Sequence, residues 1–436
     1  MKRGGLTVIL IAVGLSLLVI LPQIGGFSHF KTVQDAASYI RMAEGNPDNV
    51  LLHHARRMFH PLVVGSLRWI AGTDIAFLIV GILSLFLFLW IVLTYLHLDR
   101  RYSFPACFGY VFLPYLFVLF HDLYLQTLFF LALSAVFWYL ILKKQYVAGV
   151  FLLFPMSLTR DETVIIAAAF IAVILLRKQK DLANKPAWLF SGAVILTTGF
   201  GAFLTSFLTR SNTNLNKLSQ LLFSVLRLPL FLFENLTGLQ HWLDTYKVLP
   251  DYTHPPMFVF DLPAWFQKFS AIKQAGIYEW NLILPATLIL LILSAFGTGP
   301  TILYFLWKKT KFKELRGSLA LNAMLLFGCL IFVLSPALGP PVIRYFVNAW
   351  PLFFLVMPVL LKTLWTVDKG ETRRILGIYF ISSCLCVFTF LQLGLLFILI
   401  SIMIEIPLHV YTWRRLNALF AGVKGRAFGS PLARGF

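Results

Sequence analysis

The chain has 436 residues, of which 59% are hydrophobic and only 13% charged, and its formal net charge is +19. A soluble protein carries about 25% charged residues, so this composition excludes a water-facing globular domain; a surface facing hydrocarbon needs no charge. The positive excess does not indicate nucleic acid either. Lys and Arg stand in short runs between apolar segments, as at Lys2-Arg3, Arg100-Arg101, Lys143-Lys144, Arg177-Lys178, Lys308-Lys309, Arg373-Arg374 and Arg414-Arg415, which is the punctuation of membrane topology. No run interleaves basic residues with aromatics as a nucleic-acid patch does.

In chain order, the first apolar segment, 6–24, follows a short basic start. It is long enough to span and no small-residue cleavage pattern follows it, so it is read as a retained first helix. Further spans are predicted at 74–97, 104–120, 125–142, 146–158, 163–176, 188–208, 281–307, 318–337, 350–365, 375–391 and 392–413. The expected fold is therefore an all-α polytopic membrane protein with about twelve transmembrane helices, one transmembrane domain over 1–413. Residues 414–436 form a basic tail.

With the N-terminus inside, every second connection is cytoplasmic, and each basic run falls on that side, as does the tail. Both termini are thus expected in the cytoplasm. Two outer loops are long, 25–73 between spans 1 and 2 and 209–280 between spans 7 and 8. The first contains an amphipathic stretch at 61–72 suited to the interface. The second is interrupted by prolines yet rich in Phe, Trp and Leu, so it is read as ordered.

Of the 18 acidic residues, about two-thirds fall on the outer face, where bunched acids suggest a polar active face. Asp35 and Tyr39 are four apart on a helical-looking segment and share a face. An Asp opening a helix also serves as an N-cap. The rest of that loop reads His53-His54-Ala55-Arg56-Arg57-Met58-Phe59-His60, five basic side chains in eight residues against the inside trend. Arg donates bidentate hydrogen bonds to phosphate; headgroup anchoring is the plainer reading. Two more outer clusters follow, His121-Asp122 and Thr159-Arg160-Asp161-Glu162, and Arg344-Tyr345 lies behind Gly339-Pro340-Pro341. The four cysteines, Cys107, Cys329, Cys384 and Cys386, lie in apolar stretches and suggest no disulfide or metal.

Asp35 and Tyr39 followed by Met42-Ala43-x-Gly45, Arg57-x-x-x-Pro61, Thr159-Arg160-Asp161-Glu162, and Arg344-Tyr345 ahead of Trp350-Pro351 together resemble the GT-C class of membrane glycosyltransferases. This class includes bacterial mannosyltransferase-like and aminoarabinose-transferase-like enzymes. The resemblance covers about the first 175 residues and 340–365. The chain departs from better-known members in lacking a paired Asp-Glu in the first loop and a large soluble C-terminal domain. The resemblance implies a polyprenyl-phosphate-linked sugar donor, reaction on the outer, periplasmic face of a bacterial inner membrane, and transfer to a lipid, glycan or protein acceptor. It makes Asp35 the base and Arg57, Arg160 and Arg344 phosphate-binding candidates. Tyr39, His54, Arg56, His60, Asp122, Asp161, Glu162 and Tyr345 complete the expected substrate-binding set.

The chemistry stands without the name. Displacement of a polyprenyl phosphate needs a base for the acceptor hydroxyl and cations for the departing phosphate. The residues single out no cofactor, and whether a divalent metal takes part stays open. Two other readings remain, an O-antigen polymerase or ligase type of enzyme and a transporter or flippase of lipid-linked substrates. The last predicts paired ionisable residues inside the spans, and Glu405 with His409 is the one such pair in view.

Overall fold

The computed structural model describes residues 3–20, 34–46, 50, 57–95, 123–176, 191–200, 229, 232–241, 259–261, 264, 277–294, 301, 319–338, 348–351, 365, 368–385 and 395–422. Helix dominates them: α1 (Arg3–Ile20), α2 (Gln34–Ala43), α3 (Phe59–Ala71), α4 (Thr73–Tyr95), α5 (Thr127–Leu142), α6 (Tyr146–Ser157), α7 (Thr163–Leu176), α8 (Ser191–Phe200), α9 (Ile283–Ser294), α10 (Leu319–Leu338), α11 (Lys369–Leu385) and α12 (Leu395–Gly422). Two of them, α4 and α12, are long and apolar enough to cross a membrane. The predicted span 104–120 lies outside the described residues, as does most of 350–365.

Apolar runs become helices here because their ends are marked locally. Asp368 opens α11, its Oδ1 accepting the Glu371 N–H at 3.0 Å, and Asn281 opens α9 by accepting the Ile283 N–H at 3.0 Å. Pro155 lies inside the predicted span 146–158, and α6 runs two residues beyond it. A proline in the final turn forfeits one backbone hydrogen bond at most, and the Thr159 hydroxyl satisfies the Pro155 carbonyl at 2.8 Å. The residues between α6 and α7 then form tight turns, which carry Arg160, Asp161 and Glu162. At the other end of the chain, α12 continues through Arg414 and Arg415 to Gly422.

The core is a helix bundle. Helix α4 packs against α1, α3 and α5; α5 packs on α6 and α10; α7 packs on α10. Phe88, Phe137, Trp138, Phe170 and Trp350 are fully buried among them. Trp350 meets Phe88 edge-on at 5.4 Å and donates its indole N–H to Ser134 Oγ at 3.1 Å, so the first residue of the tenth predicted span is anchored on α5.

The described residues of the predicted loop 25–73 fold together. Helices α2 and α3 pack together, with Ala36, Tyr39 and Ala43 buried on the α2 face. Their approach is close enough that a Cβ at Gly65 would sit 2.7 Å from the Ala43 carbonyl oxygen. Arg68 on α3 caps α2 by donating to that carbonyl at 3.3 Å.

The second long loop departs from the all-α expectation. It contains three short strands, β1 (Leu239–His241), β2 (Val259–Asp261) and β3 (Ile277–Asn281), in the antiparallel order β1-β3-β2. Gly238, at φ +75°, starts β1; a side chain there would strike the Asn281 carbonyl, whose residue also donates its N–H to the Gly238 carbonyl at 2.7 Å. The strands escape a reading by period because each is only three to five residues long.

Candidate functional site

Three segments distant in sequence meet at the turns between α6 and α7. The first loop reaches them through its backbone, the Phe59 N–H donating to the Leu158 carbonyl at 3.1 Å. Beside that contact Arg57 Nη2 donates to Asp161 Oδ2 at 2.9 Å. One residue before Asp161, Arg160 grips Glu162 with both Nε, at 3.0 Å, and Nη2. Its Nη1 donates to Thr127 Oγ1 at the start of α5, at 2.6 Å. Asn348 brings in the third segment, its Nδ2 donating to Glu162 Oε1 at 3.3 Å.

The two ion pairs differ in kind. Arg160 and Glu162 are almost wholly buried, at 4% and 5% side-chain exposure. Burial alone would raise the Glu162 carboxyl, but the charge and hydrogen bonds of Arg160, helped by Arg57, hold it below the ordinary carboxylate value. Glu162 therefore stays ionised, and its two carboxylate oxygens take two N–H groups of Arg160. Asp161 is 65% exposed and Arg57 25%. Burial would lower the Arg57 pKa, yet Asp161, then Tyr39 and Glu162, raise it well above its ordinary value. Its Nε has no hydrogen-bond partner among the described residues. That Nε is buried, so the partly open remainder of the charged guanidinium is the part an incoming phosphate oxygen could reach.

His60 is placed differently from Arg57. Its ring packs 5.4 Å from Phe77 and 5.2 Å from Phe129, and burial drives its pKa down to about 3. At neutral pH it is an uncharged imidazole in an aromatic layer, so it supplies no cation for a phosphate. The depressed value stabilises the fold above the unfolded His pKa of about 6.5, and that stability drains away as pH falls from there towards 3. His60→Leu is accordingly expected to flatten the loss of melting temperature between pH 7.5 and pH 5 that the parent protein shows. An unchanged slope in a thermal melt of the detergent-solubilised protein would remove His60 as the cause.

Asp35 occupies the second position of α2, the helix whose Tyr39 is fully buried and electrostatically coupled to Arg57. His54, Arg56, Asp122, Arg344 and Tyr345 lie outside the described residues. The site also uses residues that the sequence reading passed over. Thr127 and Asn348 complete the Arg160–Glu162 pair; in a separate contact, Tyr124 donates to Asp74 Oδ1 at 3.0 Å, and burial, then that hydrogen bond, pushes its phenol pKa up. Asn348 stands three residues after Tyr345 and Tyr124 two after Asp122, so adjacency to the motifs was their only signal. Among the described residues no three His, Cys, Asp or Glu side chains converge as a metal site. Compared with protein-family models, with curated proteins and with solved structures, the chain finds no match.

Proposed function

We propose that this chain is an integral membrane glycosyltransferase of the GT-C type. It crosses the membrane about twelve times, keeps both termini in the cytoplasm, and works on the periplasmic face of a bacterial inner membrane in cell-envelope glycan biosynthesis. The donor is a polyprenyl-phosphate-linked sugar, and the acceptor a hydroxyl of a lipid, glycan or protein. Asp35 takes the acceptor proton as the acceptor oxygen bonds to the anomeric carbon. The bond from that carbon to the phosphate oxygen breaks, the configuration inverts, and polyprenyl phosphate departs with both bonding electrons. Arg57 neutralises that phosphate. The buried Arg160–Glu162 pair, tied to Thr127 and Asn348, holds the turn that presents Asp161 to Arg57.

The observation that carries the reading is Arg57: a cation of the predicted first outer loop, 104 positions from its partner Asp161, whose side chain keeps 25% of its surface exposed. Membrane residence is supported by the two spanning-length helices, by apolar side chains exposed on them, such as Leu83, Met403 and Ile406, and by the basic runs on alternate connections. Deleting the gene should remove one sugar mass from an envelope glycan and leave the corresponding polyprenyl-linked sugar in excess, both read by mass spectrometry. An unchanged envelope would count against any transferase reading.

A further inference from the structure

A second polar cluster sits among α9, α11 and α12, helices that take no part in the network around Arg57. On α12, Glu405 and His409 are one turn apart on a common face. That face is turned inward, Glu405 being 0% and His409 12% exposed, while Met403, Ile404, Ile406 and Val410 on the same stretch are exposed and apolar. Ser382 of α11 donates its hydroxyl to Glu405 Oε2 at 2.7 Å. His409 Nε2 lies 2.8 Å from the carbonyl oxygen of Leu293, in the last turn of α9.

Donor and acceptor roles settle the protonation of the histidine. A carbonyl only accepts, so His409 carries its proton on Nε2, and Nδ1 is left to accept from the Thr301 hydroxyl at 2.5 Å. It is thus satisfied as a neutral ring, and its Nε2 stands 3.7 Å from Glu405 Oε2, outside hydrogen-bond reach. Glu405 Oε1 has no hydrogen-bond partner among the described residues. An ionised carboxylate in this place would have one hydroxyl donor and no cation, a costly arrangement in a protein interior and more so at membrane depth.

The other titratable groups on the packed elements do not supply the missing charge. Helix α9 contains none. On α11, Tyr379 lies one turn from Ser382, while Glu371 is engaged by Arg374 and Arg415, and Lys369 and Arg373 share that far end. Arg414 and Arg415 of α12 are about 15 Å along the axis from Glu405 at 1.5 Å per residue. Tyr411, between them and His409, receives a hydrogen bond from Arg415 Nε on its hydroxyl at 3.1 Å.

We infer that Glu405 is a proton-binding site within the membrane, with His409 and Ser382 as the donors that receive its carboxylate when the proton leaves. With the proton bound, the neutral acid sits beside a neutral imidazole whose Nε2–H latches α12 to α9 through Leu293. With the proton gone, that N–H turns from the Leu293 carbonyl to Glu405 Oε2, and the latch opens. Proton occupancy therefore sets the packing of α12 on α9. The inference rests on the membrane placement of α12 and not on glycosyl transfer.

The full chain in detergent micelles is treated with dicyclohexylcarbodiimide, an apolar reagent that consumes protonated carboxyls. The acid O–H adds across its C=N bond, the proton passing to nitrogen, and the adduct rearranges to a stable N-acylurea. Peptide mass spectrometry across about pH 6 to 9, a window well above the ordinary Glu value, gives the readout. The expected result is modification of Glu405 at neutral pH with Glu371 untouched, abolished by Glu405→Gln, which keeps the size and the Ser382 contact. His409→Leu, which removes the donor for the carboxylate, should move the loss of labelling upward by about one pH unit or more. A folded protein whose Glu405 peptide stays unmodified at neutral pH, or follows the same profile as Glu371, overturns the site. An unmoved profile in His409→Leu overturns the role given to the latch.

Discussion

Asp35→Asn is expected to lower the rate of sugar transfer by about 10²–10⁴-fold, the usual contribution of a positioned general base, while the protein folds as before. The two halves of that expectation have separate grounds. Asn and Asp are near-equal at a helix start, and α2 is seated by Ala36, Tyr39 and Ala43 against α3, so the change leaves its docking in place. The proton of the acceptor hydroxyl, in contrast, loses its destination. Steady-state kinetics with a polyprenyl-phosphate sugar should show the loss in kcat with little change in donor KM, because Arg57 is intact. Arg57→Gln should do the reverse in part, raising donor KM. Full activity in a well-folded Asp35→Asn protein would remove Asp35 from the chemistry and move the polymerase or ligase reading ahead.

Glu162→Gln should destabilise the protein by about 3–5 kcal/mol, the cost of stranding one member of a buried ion pair. The guanidinium of Arg160 would keep Thr127 Oγ1 but lose the carboxylate that takes two of its N–H groups. Asp161→Asn, one residue away, should cost no more than about 1 kcal/mol, because the Asp161 carboxylate is 65% exposed and water screens its pair with Arg57. Unfolding in mixed micelles would compare the two variants, and equal losses would mean that the buried pair does not organise the turn. Acid gives an independent check. The Glu162 pKa is lowered in the fold, so its stabilisation is present above the unfolded value of about 4.3 and disappears as pH falls through the lower folded value.

Much of the helical framework was legible beforehand. Helix α7 spans the predicted 163–176, and α5, α6 and α10 agree with their predicted spans to within two residues, since a long apolar run bounded by charge permits one outcome. The strands of 239–281 were not legible. They depend on pairing between short segments, which leaves no periodic trace.

For the site, residue chemistry singled out Arg57, His60, Arg160, Asp161 and Glu162 but gave them a common role. The tertiary structure separated them. Charge and hydrogen-bonding capacity belong to the residue, so the sequence by itself determined an apolar chain with a few clusters of basic and acidic side chains. Which of those charges is spent internally depends on burial and on partners far along the chain. Thr127 and Asn348 commit Arg160 and Glu162 to each other, Phe77 and Phe129 make His60 neutral, and the α6–α7 turns set Asp161 opposite Arg57. Desolvation and pairing act through space, so only the fold decided which cation is left for a ligand.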